Sequence, residues 1–406
     1  MTGETISRRT GWLMWLIASI FYAYQYVLRV MPSVMLEDIT RQFGMSASML
    51  GQFSGVYYVG YSLAHIPLGI ALDKYGPRKV VSICAALSAI GALPIVFAEH
   101  CAYPIIGRAI TGIGSSAAIL GAFKATRMAF DERHFTKMLG FSVAIGILGA
   151  IYGGSPVGRM CKILSYKSVV GIIAAAGIVL ALVAYAVMPN VENRTDNTND
   201  SAISNLREVI FNPKLIALCV SAGLMVGPLE GFADIWGPRF LTRVYKLETS
   251  SASYCSSLIF IGMALGAPIL TFIAEKIRDY IKTIAFSGAT MFAIFALLVG
   301  DRLNYAGMIA GFFAAGICSG YQTLAIYKAS TYVGENSVTL ATAVTNMIIM
   351  TFGYFLHSSI GMIVDATAPL GEALALRCGV ATIPAALLMG AIGFAIVGRM
   401  ERRGRG

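Results

Sequence analysis

The chain has 406 residues, 57% of them apolar and only 13% charged, with 43 glycines and a formal net charge of +10. A water-soluble fold of this length has no interior large enough to hide so much apolar surface, which excludes the soluble globular classes and leaves lipid as the solvent. The charge does not point to nucleic acid: with the N-terminus inside, 20 of the 31 Lys and Arg fall in inner segments and nine in outer ones, the asymmetry that orients membrane helices.

Twelve apolar stretches long enough to cross a bilayer as helices are predicted, over 11–35, 47–72, 79–97, 103–123, 138–158, 168–188, 215–237, 252–274, 282–299, 305–327, 341–364 and 379–397. The first is too long for the apolar core of a cleaved leader, so it is expected to stay as a span. It carries Tyr22, Gln25, Tyr26 and Arg29 at i, i+3, i+4 and i+7, which places all four on one helix face. A charge that deep needs a partner, a wet cavity or a function. A guanidinium beside phenols and an amide suits a carboxylate or phosphate, because its planar fork can hold two oxygens. The plainer alternative is an arginine that snorkels outward or pairs internally.

The second span carries Tyr57, Tyr58, Tyr61 and His65, which either line a cavity or pack. It runs into Gly69-Ile-Ala-Leu-Asp73-Lys74-Tyr75-Gly76-Pro77-Arg78-Lys79, and the third span starts at once. So short a charged hinge forces the two helices side by side; glycine accepts φ > 0 and proline cannot continue a helix. Asp73 is expected to meet the next helix's N-terminal donors and the nearby cations. The fourth span opens with Arg108, followed by Gly112 and Gly114; the fifth ends GILGAIYGGSPVG, Gly146 to Gly158. Such glycines either let helices approach closely or serve a gate.

Between spans six and seven, Pro189 to Lys214 is the one sustained polar stretch. It reads as a cytoplasmic linker with a short surface helix near 202–210 and unused sequons at Asn193 and Asn199. It divides the chain into an N-terminal bundle, 1–188, and a C-terminal bundle, 215–406. At an offset of 202, Gly60, Leu63, Asp73 and Lys74 fall on Gly262, Leu265, Glu275 and Lys276, and Gly114 on Gly316. The second hinge, Ala274 to Lys282, keeps an acid and cations but lacks the glycine.

The seventh span follows Gly227-Pro228, where a bend is expected, and carries Glu230 and Asp234 four apart on one face. Glu230 repeats the place of Arg29 within one residue. Three readings stay open: an ion pair closing an outer gate, Glu230 carrying a coupling proton, or Arg29 taking a carboxylate while the acids take an ammonium. Asp234, close to Trp236, also fits an interfacial position. Gln322 in the tenth span is a further cavity group. In the eleventh, Asn346, Met350, Gly353 and His357 share a face, and His357 is either a site residue or a packed histidine. The seven cysteines stand singly, without metal spacing; pairing among Cys101, Cys161, Cys255 and Cys378 on the outer side stays open. There is no phosphate-binding G-x-x-x-x-G-K-S/T loop, so the chain is not expected to be an enzyme or to hydrolyse nucleotide.

The hinge from Gly69 to Lys79 resembles the signature loop of the major facilitator superfamily, G-x-x-x-D-R/K-x-G-R-R/K, and falls between the same two spans. The resemblance implies an all-α membrane protein of twelve transmembrane helices in two six-helix, pseudo-symmetric halves. It also implies secondary transport by rocker-switch alternating access, with Gly69, Asp73, Gly76, Arg78, Lys79 and Arg108 in the conformational switch. Arg108 and the glycines after it resemble the family's fourth-helix motif. The fifth span partly resembles the glycine-proline motif of the antiporter branch, with Ser155-Pro156 in place of Gly-Pro. Tyr26-Val-Leu-Arg29-Val, with Ser33, resembles the Y-x-x-R-V-x-x-S motif of the organic-anion branch, and the first and seventh spans resemble the branch of the lysosomal dipeptide transporter. The expected substrate is therefore an organic anion, amino acid or short peptide, bound by Arg29, Tyr22, Gln25, Tyr26, Glu230, Asp234, Asn346 and His357. Proton coupling is an open option, no cofactor or metal is expected, and the partners are the small solute and the lipid bilayer. A monomer in a bacterial inner membrane, both termini cytoplasmic, completes the expectation. The rivals are a non-transporting sensor and an efflux antiporter on the same fold.

Overall fold

A computed structural model describes residues 7–189, 207–334 and 337–403. Most of the expected linker, with Asn193 and Asn199, lies outside them; residues 207–210 form a turn of helix within the predicted surface helix. The chain forms two compact units, Met1–Gly44 with Val56–Asp196, and Met45–Gly55 with Asn197–Gly406. Among the described residues, eleven stretches are long and apolar enough to cross a bilayer.

The first unit contains α1 (Arg8–Val30), a 3-10 turn (Met31–Val34), α2 (Leu36–Phe43), most of α3 (Ala47–Ala92), α4 (Pro94–Phe97), α5 (Ala102–Ala129), α6 (Glu132–Gly153), α7 (Ser155–Ile163) and α8 (Tyr166–Val187). Helix α1 starts where the Ser7 hydroxyl accepts the Thr10 N–H and ends just before Pro32. It is therefore shorter than the predicted span. Residues 31–35 of that span instead form the 3-10 turn (Met31–Val34) and Met35, and beyond the predicted end lies the small amphipathic α2. Glu37 and Asp38 in its first turn and Arg41 in its last suit the helix dipole.

Helix α3 is 46 residues long, about twice what a bilayer needs. Its one non-helical residue is Gly76 (φ 76°, ψ 166°). Both arms lie against α5: a Cβ on Gly112 would sit 2.0 Å from the Tyr57 carbonyl, and one on Gly114 would sit 2.4 Å from the Cys84 carbonyl. The predicted hinge is thus a single residue.

The second unit contains α9 (Pro213–Leu224), a π-helix (Gly227–Trp236), α10 (Gly237–Val244), α11 (Thr249–Ile277), α12 (Tyr280–Val299), α13 (Tyr305–Ser319), α14 (Tyr321–Ser330), α15 (Val338–Ala366), α16 (Glu372–Val380) and α17 (Thr382–Arg403). The first turns of α3 group with this unit. A Cβ on Gly51 would sit 2.4 Å from the His357 carbonyl, and one on Gly361 2.3 Å from that of Ala47. The Asp365 carboxylate accepts the Ala47 and Ser48 N–H groups at 2.9 and 2.8 Å, adding to the Ser46 hydroxyl that accepts Met49 N–H.

The same close helix contact appears in both units. In the first, a Cβ on Gly60 would sit 2.2 Å from the Ala109 carbonyl; in the second, one on Gly262 would sit 2.2 Å from that of Phe313, and one on Gly316 2.2 Å from that of Ile259. Tyr57 and Ile259 keep the 202 offset, but the glycine answering Gly316 is Gly112. The expected match with Gly114 is corrected by two residues, because Gly114 faces the other arm of α3. All seven cysteines are free in this structure.

Candidate functional site

In the first unit, the polar face of α1 is brought onto α3. Arg29 is 6% exposed, and its guanidinium carbon lies 5.3 Å from the ring centroids of both Tyr26 and Tyr58. Each such contact is worth about 0.5–2 kcal/mol when desolvated, which offsets part of the cost of burying the charge. Arg29 therefore does not snorkel outward. The Tyr57 hydroxyl donates to Gln25 Oε1 at 2.9 Å, and Tyr57 packs edge-on against Tyr58. Tyr61 stacks on His65 at 5.5 Å, and His65 Nδ1 is 3.1 Å from the Ser116 hydroxyl. Tyr22 and Tyr26 pack edge-on at 5.3 Å.

Glycines bring α6 onto α1 as a further neighbour. A Cβ on Gly146 would sit 2.6 Å from the Tyr22 ring, and one on Gly149 would sit 2.0 Å from the Ala23 carbonyl. The glycine run of α6 is thus what lets α1 lie flat against it. Arg108, 3% exposed, joins the cluster: its Nη1 donates to the Leu28 carbonyl at 2.8 Å, and its guanidinium carbon lies 4.8 Å from the Tyr57 centroid. Sequence alone grouped Arg108 with the hinge residues, because spacing along α5 says nothing of which neighbour it meets.

In the second unit, Pro228 does not simply kink a helix. The segment Gly227–Trp236 is a wider π-helix, all ten residues buried. Glu230 and Asp234 are each 1% exposed, so both carboxylates are enclosed by protein. Gln322 Nε2 donates to Glu230 Oε1 at 3.3 Å, which brings together two groups that sequence treated separately. The Trp236 indole N–H donates to His357 Nδ1 at 3.1 Å. An indole is only a donor, so His357 accepts at Nδ1 and carries its proton on Nε2. His357 is 0% exposed. Asn346 is half-buried, about three turns away on the same α15 face.

The hinge residues make contacts of their own. Asp73, 65% exposed, pairs with Lys124 of α5 at 2.7 Å. Of its two expected kinds of partner, a cation is therefore met, on α5; the second arm of α3 starts anew after Gly76. Arg78 lies 4.6 Å over the Tyr185 ring of α8. Around Gly69 nothing lies within 4 Å of where a Cβ would sit.

The family model of the Major Facilitator Superfamily matches residues 14–358. The chain is 22% identical over 276 residues to a probable L-galactonate transporter of Escherichia coli K12, covering 63% of this chain and 60% of that one. It is 21% identical over 387 residues to the hexuronate transporter of Bacillus subtilis, covering 91% and 90%. A crystal structure of a bacterial homolog of the human lysosomal transporter Spinster superposes with a TM-score of 0.74 at 16% identity, over 97% of this chain and 98% of that one. Hinge, apolar helices, fold and family match agree: the chain belongs to the major facilitator superfamily, a family of membrane carriers.

Proposed function

We propose that this protein is a secondary active transporter that moves a small organic anion across a membrane by alternating access. Taking the two arms of α3 as separate spans would turn the eleven described stretches into twelve, six on each side of the linker, which supports that reading. The observation that carries the reading is Arg29, buried between two tyrosine rings on a face that also holds Gln25 and Tyr22. A guanidinium held by ring faces keeps its donors directed at oxygens. Relatives are named for L-galactonate, hexuronate and sulfoacetate, all of them organic anions. Arg29 is the anion receptor. Tyr22, Gln25 and Tyr26 supply the surrounding polar edge.

Glu230, with Asp234, is the acidic counterpart in the second unit, and Gln322 holds its carboxylate. It serves as a proton carrier for symport. A second reading, in which these acids receive the ammonium of an amino acid or peptide, draws on the same two buried carboxylates. The excess of inner cations supports a cytoplasmic position for both termini.

Proteoliposomes test this. Uptake of L-galactonate, glucuronate, galacturonate and sulfoacetate is compared with uptake of dipeptides, with and without an imposed pH gradient. Saturable uptake of one of the anions, lost in Arg29→Ala protein that melts normally, is the expected result. Uptake confined to dipeptides transfers the reading to the second case. Anion binding without any uptake is what a sensor would give.

A further inference from the structure

Helix α1 ends with a carbonyl, that of Leu28, whose usual helical donor is missing. In an α-helix the carbonyl of residue 28 accepts the N–H of residue 32, and residue 32 is proline, which has none. The neighbouring Met31 N–H goes to the Val27 carbonyl. Leu28 is 0% exposed, so water cannot supply the missing donor. Arg108 does: its Nη1 lies 2.8 Å from the Leu28 carbonyl oxygen.

We propose that Arg108 is a positioning residue that locks the last turn of α1, and with it Arg29, by donating to the carbonyl that Pro32 leaves without a helical partner. Three features support this. Leu28 is the residue directly before Arg29, so its carbonyl belongs to the peptide that sets the Arg29 backbone. Arg108 is itself fixed, stacked 4.8 Å over the Tyr57 ring, whose hydroxyl is bound to Gln25 one turn back on α1. A guanidinium presents several donors in one plane, so it can serve the carbonyl while lying flat on the ring; a lysine offers a point charge without that plane. The chain Arg108–Tyr57–Gln25, closed by Arg108–Leu28, clamps α1 at two points, one of them on the anion-binding face itself. Arg108 thus acts through Arg29 and needs no contact with substrate. Its consequence for affinity rests on Arg29 being the anion receptor; the clamp itself does not.

A double-mutant cycle with Pro32→Ala tests the clamp, because an alanine at that position restores the N–H that the Leu28 carbonyl lacks. Purified full-length protein is compared as wild type, Arg108→Leu, Pro32→Ala and the double variant. Melting temperature and amide hydrogen exchange of the segment 27–35 are measured for each. Arg108→Leu is expected to lower the melting temperature by roughly 3–8 °C and to speed exchange in 27–35 by about tenfold, with other segments little changed. In the Pro32→Ala background at least half of both effects should vanish, and Arg108→Lys should fall between wild type and Arg108→Leu. Should Arg108→Leu fail to fold while the double variant folds, the clamp is supported. If neither folds, Arg108→Lys with and without Pro32→Ala gives the same cycle. The inference is overturned if exchange in 27–35 is unaltered by loss of Arg108, or if Pro32→Ala leaves the full cost in place. A cycle that shows the coupling alongside Arg29→Ala protein that still transports would retain the clamp and discard the receptor.

Discussion

The two units solve the same problem, a reversal between their second and third spans, in different ways. At an offset of 202, Gly76 answers to Arg278. Gly76 has φ 76° and ψ 166°, a region open almost only to glycine. Arg278 has φ 55° and ψ 31°, the left-handed helical region that other residues enter at a cost of about 1–2 kcal/mol. The acids differ too. Asp279 caps the helix that follows: its carboxylate accepts the Lys282 N–H at 3.0 Å and pairs with the Lys282 ammonium at 2.9 Å. Asp73 precedes its glycine and reaches across to Lys124 on another helix. The second hinge is therefore a local, self-contained turn, whereas the first ties its geometry to α5. A switch needs that kind of long-range dependence, which is why the first hinge is the better candidate for one.

Substitutions break or sharpen this contrast. The largest effect is expected from Gly76→Ala, which forces a Cβ into that backbone geometry at a cost of about 1–3 kcal/mol, read as a lower melting temperature and lower yield of folded protein. Asp73→Asn comes next, and in function rather than stability. The pair with Lys124 is largely exposed, so its loss costs well under about 1 kcal/mol, yet turnover should fall about fivefold with half-saturating substrate concentration unchanged. A loss of affinity at constant maximal rate would remove Asp73 from the switch.

A smaller effect is expected at Asp279. Its burial raises the carboxyl, but the Lys282 N–H, the Lys282 ammonium and Arg402 outweigh that and hold it below the ordinary range. A depressed carboxyl stabilises the fold above its unfolded value and loses that contribution as pH falls through its lower folded value. Wild type should therefore melt above Asp279→Asn at neutral pH, with the gap closing below about pH 4; a gap constant with pH would deny the carboxylate its role. The smallest change is Arg278→Gly, which relieves left-handed strain and should leave stability level or raise it by less than about 1 kcal/mol, since glycine also frees the unfolded chain.

Much of the fold could be read from the chain. Spans such as 168–188 and 282–299 match α8 and α12 within two residues at either end, because a continuous apolar run with no competing signal has only one stable form in lipid. The polar face of α1 was legible for the same reason: i, i+3, i+4 and i+7 are neighbours on any helix. Where a turn of backbone departs from the α form, the reading failed. Pro228 announced an irregularity but not that ten residues would widen into a π-helix, and the short amphipathic α2, ended by Gly44 at φ 58°, lies between the first two spans, where a search for bilayer-length apolar runs does not register it.

Composition and periodicity therefore determined the membrane, the helices and which side chains share a face, since these follow from lipid's intolerance of unpaired backbone and from helical geometry alone. Which face meets which was decided by packing. Arg108 against Leu28, Gln322 against Glu230 and Trp236 against His357 join residues 80, 92 and 121 positions apart. Those pairings are set by which helices pack together, and they exist only once the helices have assembled.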